Sequence, residues 1–522
     1  MTYLAVPIAA ENLEQAKELV KAALAAGAGM LELRTDYLEN LSVPMVGKLI
    51  ADTKTAAGRK LPVIVTCRDK QQGGAKSHPL KLRIDVLAGA LKAGAEYIDF
   101  EYDNFVATEN QEKIRVALSQ SGKGRIILSA HNFQTRFENI ARLYRRIQTA
   151  HPAAIPKLVY TANHINDCFD AFDLLHVTSG ERIIFCMGQA GLISRVLAKK
   201  FDSFLTFASI DEKTATAPGQ LTIEQFRRRY RYDSINSETQ LYGIIGSPVG
   251  HSLGPIVHNA CFEDAGANKL YLPLLVDGGW AEFEKFMGNI LARKWLGFGG
   301  FSVTIPHKEN ALEFVRKKQG FVEPLARKIG AVNTMVITAD GLLKAYNTDY
   351  AGALDAIAST LGAKVGMKDM AVAVIGAGGA ARAIVAGLCD AGARITIYNR
   401  TAQKGEKLAA EFGCYAAPLD ALQNLEAKLL INCTSVGMYP DVNASPVPKQ
   451  YIKKNMAVFD TVYNPPETLL LKQAKEIGAK TISGLEMFIN QACGQFKLFT
   501  HLQCNRAVLR KAVLETVLLF EG

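Results

Sequence analysis

Eight short apolar runs recur through the first 220 residues, at 3–8, 30–34, 62–67, 97–101, 125–130, 157–161, 182–187 and 204–208. Between them lie segments such as 12–25 and 78–93, whose apolar residues return at three- and four-residue spacing. A short run without strict alternation is a strand buried on both faces, and the helical spacing marks the crossover that returns to the next parallel strand. Eight such alternations predict a (β/α)8 barrel over residues 1–225. A doubly wound open sheet is the competing architecture, but it rarely needs eight strands.

The polar, turn-forming stretch SINSETQ at 234–240 ends a linker expected over 226–240. A fresh strand opens at Leu241, and the pattern behind it predicts a substrate-binding domain over 241–348. A dinucleotide-binding domain is expected over 349–483, and the last helical stretch, 484–522, is expected to fold back onto the former. The whole chain is therefore read as α/β.

The nucleotide reading rests on residues 371–382, AVAVIGAGGAAR. Strand, glycines and helix in that order form a dinucleotide-binding turn. Gly376 permits the bend, and Gly378 lets backbone approach a pyrophosphate. Ala377, Gly379 and Ala380 complete the cradle at the helix N-terminus, where free N–H groups attract anions. The next strand closes on Asn399, Arg400 and Thr401, with Lys404 close behind. An Asp or Glu there would hold an NAD ribose; a guanidinium suits a 2′-phosphate, so the cofactor expected is NADP.

Composition narrows the classes. With 49% hydrophobic and 21% charged residues, 522 residues make a globular chain too long for one core. No apolar run approaches the roughly 20 residues that span a bilayer, and the first residues lack a basic leader, so no membrane partner is expected. Nine cysteines, an odd number without a CxxC pair, argue against a disulfide framework or a zinc site and for a reducing cytoplasm. The formal charge of +10 favours anionic ligands. The densest basic run, 227–231, could grip RNA, but it reads better as a solvated helix end. No RNA-binding signature accompanies it, so no nucleic acid is expected. Oligomeric state is left open.

In a barrel, chemistry sits where strands end. The polar residues there are Glu32, Arg34, Arg68, His131, Arg195 and Gln220. Lys157 lies within the sixth run; alternation puts it with Val159 and Thr161 on one face and Leu158 and Tyr160 on the other. Burial there predicts a desolvated, neutral amine able to attack a ketone. The alternative is a lysine snorkelling from the barrel bottom. The motifs ELR (32–34), TCR (66–68), SAHNF (129–133), IPK (155–157), GxxGxxSR (188–195) and APGQ (217–220) resemble type I 3-dehydroquinate dehydratase across 1–225. The resemblance implies a Schiff base between Lys157 and the substrate's C3 ketone, with His131 moving protons as C2–H and the C1 hydroxyl are lost. Arg195 would hold the ring carboxylate, while Glu32, Arg34, Arg68, Thr216 and Gln220 would hold hydroxyls and the loop. Gln72 stands where that family has Glu, and Thr216 where it has Ser.

In the second half, polar clusters end apolar runs at 247–258, 302–308, 330–334 and 347–349. Reducing a ketone needs a hydride donor, a polarising group and a proton source, and Lys308 and Asp349 can supply the last two. An ordinary ion pair is the alternative. With NCTSVGM at 432–438 and DTVYNP at 460–465, residues 241–522 resemble shikimate dehydrogenase. The resemblance makes Lys308 and Asp349 catalytic and Ser252, Thr304, Asn333, Tyr463 and Gln491 substrate contacts. It places Thr434 and Gly484 at the cofactor. Gly254 replaces a second serine, and the smaller residue is expected to leave room for an extra C1 hydroxyl, as in quinate. The two halves would share 3-dehydroshikimate as product and substrate. A quinate-oriented dehydrogenase and a catalytically silent ligand sensor are the alternatives.

Overall fold

The computed structural model describes residues 2–520 except 59–60, 218, 251 and 363–365, with backbone alone at 517–520. Pro218 of the APGQ motif, His251, and the last two residues of the C-terminal stretch therefore lie outside the described residues. The eight runs form strands β1 (Tyr3–Ile8), β2 (Met30–Arg34), β3 (Val63–Thr66), β4 (Tyr97–Glu101), β5 (Arg125–Asn132), β6 (Ile155–Thr161), β7 (Ile183–Met187) and β8 (Leu205–Phe207). Their order is β7-β6-β5-β4-β3-β2-β1-β8, with parallel pairing from β7 through to β8. Between β8 and β7 the Phe204 N–H donates to the Arg182 carbonyl at 2.8 Å, so the sheet curls into a nearly closed barrel.

The interior is filled by side chains from alternate positions, among them Ala5, Ile64, Ile127, Val159, Phe185 and Phe207. Tyr160, on the other face of β6, donates its hydroxyl to the Asp167 carbonyl at 2.6 Å. The crossovers are helices with local start and stop signals. Asn12 caps Leu13–Ala26 by accepting from Gln15 N–H at 3.0 Å, and Gly27 ends it in the left-handed region.

The chain divides into two compact units. The first is Met1–Gln240 with Leu274–Asp277 and Lys285–Gly297, and the second is Leu241–Pro273, Gly278–Glu284 and Phe298–Gly522. Within the first, residues 226–240 are packed down rather than loose: Phe226, Tyr230, Tyr232 and Ile235 are buried. Lys200 donates to the Ser237 and Thr239 carbonyls at 2.7 and 2.8 Å. The basic run expected to be solvated is only partly so. Arg227 donates to the Ala26 and Gly27 carbonyls at 2.9 and 3.0 Å, closing the orphaned end of helix Leu13–Ala26. Arg228 stays on the surface, paired with Glu224.

The second unit holds two six-stranded sheets. Strands β9 (Gln240–Gly246), β10 (Lys269–Leu275), β11 (Phe298–Val303), β12 (Phe321–Val322), β13 (Thr334–Ile337) and β14 (Leu343–Tyr346) lie in the order β10-β9-β11-β13-β14-β12. The sheet is mixed, since β13 runs antiparallel to both β11 and β14. Helix Gly484–Thr500 shares a core with this sheet and with helix Gly254–Asp264. Its residues Leu485, Ile489, Ala492, Phe496 and Phe499 recur at helical spacing, which gives one apolar stripe.

The other sheet comprises β15 (Ala371–Ile375), β16 (Arg394–Tyr398), β17 (Tyr415–Ala417), β18 (Leu429–Asn432), β19 (Ala457–Asp460) and β20 (Lys480–Ser483). Every pairing is parallel, in the order β17-β16-β15-β18-β19-β20. Counted from its first strand this is 3-2-1-4-5-6, the Rossmann order, and the crevice for a dinucleotide lies where the direction reverses, outside β15 and β18.

Candidate active sites

The barrel carries a cavity at the C-terminal ends of its strands. Glu32 and Arg34 come from β2, Arg68 from just beyond β3, His131 from β5 and Lys157 from β6. Arg195 projects from the short helix Leu192–Val196, and Thr216 and Gln220 from the loop after β8. All eight line the same cavity, together with Gln72 and Phe133.

The electrostatics differ from the expectation at Lys157. The sequence predicts a desolvated, neutral amine, whereas Nζ sits 2.7 Å from Asp99 Oδ2 and 3.6 Å from Glu32 Oε1. The side chain is 5% exposed and rests 4.7 Å from the Phe207 ring centre, so the environment is a dry ion pair. Arg68 is likewise engaged, at 2.8 Å from Asp99 and 2.9 Å from Glu101. Burial works to raise the Asp99 carboxyl, but Arg68 and Lys157 outweigh it and hold it far below the usual carboxylate range. Asp99, Glu101 and Ser129 were not foreseen as site residues. The signal is the alternation in YIDFE, which puts two carboxylates on one face of an apolar run.

His131 is pushed well below its ordinary value, by burial first and then by Arg68 and Lys157. Its Nδ1 lies 3.1 Å from Gln72 Oε1, and the Gln72 amide nitrogen faces Asp103. The carbonyl end of Gln72 can only accept, so Nδ1 carries the hydrogen and Nε2 is left with a lone pair.

Among the arginines, Arg34 is spent on Asp36 by two bonds of 2.9 Å. Arg195 is different. It is 1% exposed, its Nε and Nη2 have no hydrogen-bond partner among the described residues, and burial lowers it to about 10. A buried guanidinium with two unused donors is a receptor for a carboxylate. Gln220 accepts from the Thr216 N–H and hydroxyl at 2.8 and 3.2 Å, and its own Nε2 has no partner among the described residues.

In the second unit, a cavity of about 350 Å³ is lined by Ser252, Thr304, Lys308, Asn333, Asp349, Tyr463 and Gln491, all seven residues singled out from the sequence. Lys308 opens helix Lys308–Lys317, and Asp349 lies in the first turn of helix Thr348–Leu361. Lys308 Nζ donates to Asp349 Oδ2 at 2.6 Å. Asn333 donates to Asp349 Oδ1 at 2.8 Å, and its own carbonyl oxygen accepts from Thr348 N–H at 2.8 Å, which fixes the carboxylate's orientation.

The floor of this cavity is a polar group that the sequence did not reveal. Ser302 donates to Gln495 Oε1 at 2.8 Å, and Gln495 Nε2 donates to Thr334 Oγ1 at 3.1 Å. His258 Nε2 is 3.2 Å from the same Gln495 oxygen, and burial lowers His258 to about 4. The room expected at Gly254 is not open. A Cβ there would lie 3.1 Å from Tyr271 Cε1 and 3.2 Å from Ser252 Oγ, because the tyrosine of β10 fills that side.

At the glycine turn, Gly376 has φ +107°, and a Cβ on it would lie 2.9 Å from Thr434 Cγ2. Gly378 caps helix Gly379–Asp390, and Cβ atoms built on Gly378 and Gly379 would meet nothing within 4 Å. Ala377 and Ala380 flank them, half-buried. This open cradle at a helix N-terminus fits a pyrophosphate. Arg400, Thr401 and Lys404 are exposed beyond β16, with Asn399 braced on the Thr401 carbonyl at 2.8 Å; that basic edge fits a 2′-phosphate. Thr434 N–H donates to Asn432 Oδ1 at 2.9 Å. Gly484 opens helix Gly484–Thr500 and lies against the Thr461 and Val462 carbonyls, where any side chain would collide.

A lysine and a neutral histidine in a barrel, followed by a Rossmann unit whose substrate cleft presents a lysine–aspartate pair, define a lyase joined to a dinucleotide-dependent reductase. Family comparisons agree along the chain. Type I 3-dehydroquinase matches residues 4–237 and the shikimate dehydrogenase substrate binding domain 244–335. Shikimate / quinate 5-dehydrogenase matches 358–459, and the shikimate 5′-dehydrogenase C-terminal domain 484–514. The bifunctional 3-dehydroquinate dehydratase/shikimate dehydrogenase of Arabidopsis thaliana, a chloroplastic protein, is 37% identical over 513 residues, covering 95% of this chain and 81% of that one. The shikimate dehydrogenase (NADP(+)) of Methanosarcina acetivorans is 39% identical over 53% of this chain and 99% of its own. A crystal structure of shikimate dehydrogenase in complex with NADP+ is 38% identical with a TM-score of 0.49, covering 54% of this chain and 97% of that one. The chain belongs to the family of bifunctional 3-dehydroquinate dehydratase/shikimate dehydrogenases.

Proposed function

We propose that the barrel dehydrates 3-dehydroquinate to 3-dehydroshikimate through a Schiff base on Lys157, and that the second unit reduces 3-dehydroshikimate to shikimate with NADPH. The observation that carries the first step is Lys157 inside the cavity, facing the unused donors of Arg195 and the neutral His131. Arg195 takes the ring carboxylate and brings the ketone to Nζ. Condensation makes an iminium that drains electrons from C2 better than a carbonyl does. His131 Nε2 takes the C2 proton and, as imidazolium, returns it to the departing C1 hydroxyl. Gln72 orients the ring through Nδ1 without adding charge. Hydrolysis of the imine then frees Lys157.

In the reductase, the bound dinucleotide supplies a hydride. Lys308 donates to the carbonyl oxygen and polarises it, and Asp349, held by Asn333, positions that ammonium and relays its proton. Ser252 and Gln491 hold the far side of the ring. NADP is favoured over NAD by Arg400 and Lys404 at the end of β16. The tyrosine packed against Gly254 supports shikimate over quinate, since the extra hydroxyl of quinate finds no vacated space there. The nine free cysteines fit a reducing compartment, the cytoplasm of the sequence reading.

Supplying 3-dehydroquinate and NADPH together and identifying the product tests both halves. Shikimate is expected. Accumulated 3-dehydroshikimate would refute the reductase reading, and unchanged 3-dehydroquinate the dehydratase reading. A catalytically silent ligand sensor would leave both reagents unchanged.

A further inference from the structure

We propose that Asp99 is the counter-ion that holds the positive charge on the Lys157 nitrogen from the ammonium through to the imine. The proposal rests on the Schiff-base reading above and deepens it. Condensation of an ammonium with a ketone gives an iminium and one water. The carbon–nitrogen bond forms, both carbon–oxygen bonds break, and two of the three ammonium protons leave with the oxygen. Nitrogen therefore carries one positive charge before and after, and keeps one N–H that must find an acceptor.

The acceptor in place is Asp99 Oδ2, 2.7 Å from Nζ. Its carboxylate is fully buried and fixed from two further sides. Ser129 donates to Oδ1 at 2.6 Å, and an Arg68 guanidinium nitrogen lies 2.8 Å from Oδ2. A cation transferred to a dry interior is stable only beside such a partner.

Other charged or titratable groups around the nitrogen are Glu32 of β2 at 3.6 Å, Arg68 beyond β3, the neutral His131 of β5 and, across the cavity, Arg195 of helix Leu192–Val196. Strands β7 and β8 present only the rings of Phe185 and Phe207 and the Met187 side chain to the cavity. Glu32 is farther away and also accepts from Thr66 at 2.8 Å, which leaves Asp99 as the close partner. Because Arg68 and Lys157 hold Asp99 ionised, it does not take the nitrogen's proton; that work stays with His131. When C2 is deprotonated the nitrogen becomes a neutral enamine, and loss of the C1 hydroxyl restores the charge beside Asp99.

The protein is incubated with 3-dehydroquinate and cyanoborohydride across a range of pH, and the reduced adduct on Lys157 is quantified by mass spectrometry. Only the protonated imine is reduced efficiently. Asp99→Asn is expected to move the half-point of trapping down by at least about one pH unit, a tenfold change in the proton equilibrium. It also lowers kcat more than it raises KM. Ser129→Ala removes the donor to Asp99 Oδ1 and leaves the carboxylate's charge less shared, so it is expected to move the half-point up, and it decides the matter alone if Asp99→Asn does not fold. Trapping in the variants with the wild-type pH dependence overturns the counter-ion. No adduct in the wild type overturns the Schiff base itself.

Discussion

Replacing Arg195 by Met deletes the guanidinium whose Nε and Nη2 are buried without partners, while keeping an apolar stem against Phe185. Two opposite effects follow. In the free protein, burial lowers Arg195 to about 10, so it is charged at neutral pH in both folded and unfolded chains. The cost of keeping that cation inside is fully present below pH 10 and relieved as pH rises towards the ordinary value of a guanidinium. At 1.36 kcal/mol per pH unit it is on the order of 3 kcal/mol. The variant is therefore expected to melt no lower than the wild type.

In the complex, the lost interaction is a carboxylate held by two charge-assisted bonds at roughly 1.5–3 kcal/mol each. Their sum predicts a fall in dehydratase kcat/KM of roughly 10²- to 10⁴-fold, with reductase activity in the same chain as internal control. A loss smaller than about tenfold, or a drop in both activities together, would refute the argument that the unused donors await the substrate's carboxylate.

Three further substitutions probe the remaining readings. Gln72→Glu places a negative charge beside His131 Nδ1 and opposes the burial, Arg68 and Lys157 that depress it. His131 acts as a base only when neutral, so the acid limb of the dehydratase profile moves to higher pH while the alkaline limb changes little. An NMR titration that finds His131 no higher in the variant contradicts this. Arg400→Asp is expected to raise KM for NADPH about 10- to 100-fold, the loss of one charge-assisted contact, with little effect on NADH; equal changes for both cofactors would remove Arg400 from the 2′-phosphate. Gly254→Ser adds a donor to the carboxylate at the expense of pressing on Tyr271. That donor serves the carboxylate of shikimate and quinate alike and Tyr271 already fills the space, so the shikimate-to-quinate ratio of kcat/KM should stay within about threefold; a rise of about tenfold would mean that residue 254 sets the preference.

The elements of both units were legible because strand runs, helix stripes and glycine turns are written in consecutive residues. The ends of the barrel strands thus pointed to Lys157, His131 and three arginines, and the turn at Gly376 pointed to the nucleotide crevice. The family resemblance assigned the carboxylate to Arg195, but strand pattern and spacing could not rank those arginines. Arg34 is spent on Asp36 and Arg68 on Asp99 and Glu101, which leaves Arg195 with free donors, and only through-space contacts show it. The same holds for the amine expected to be neutral, whose carboxylate partner lies 58 positions away in sequence.

Residue order by itself determined the barrel, the Rossmann sheet and the residue types at their mouths, since periodicity and turn chemistry act over a few neighbouring positions. Tertiary structure decided which charges are neutralised and which are left for a ligand, and which space a missing side chain leaves open. Tyr271 from β10 closes the gap at Gly254, and no local pattern around either residue records that contact. Electrostatic pairing and packing depend on distance in space, and distance in space is fixed only when separate strands meet.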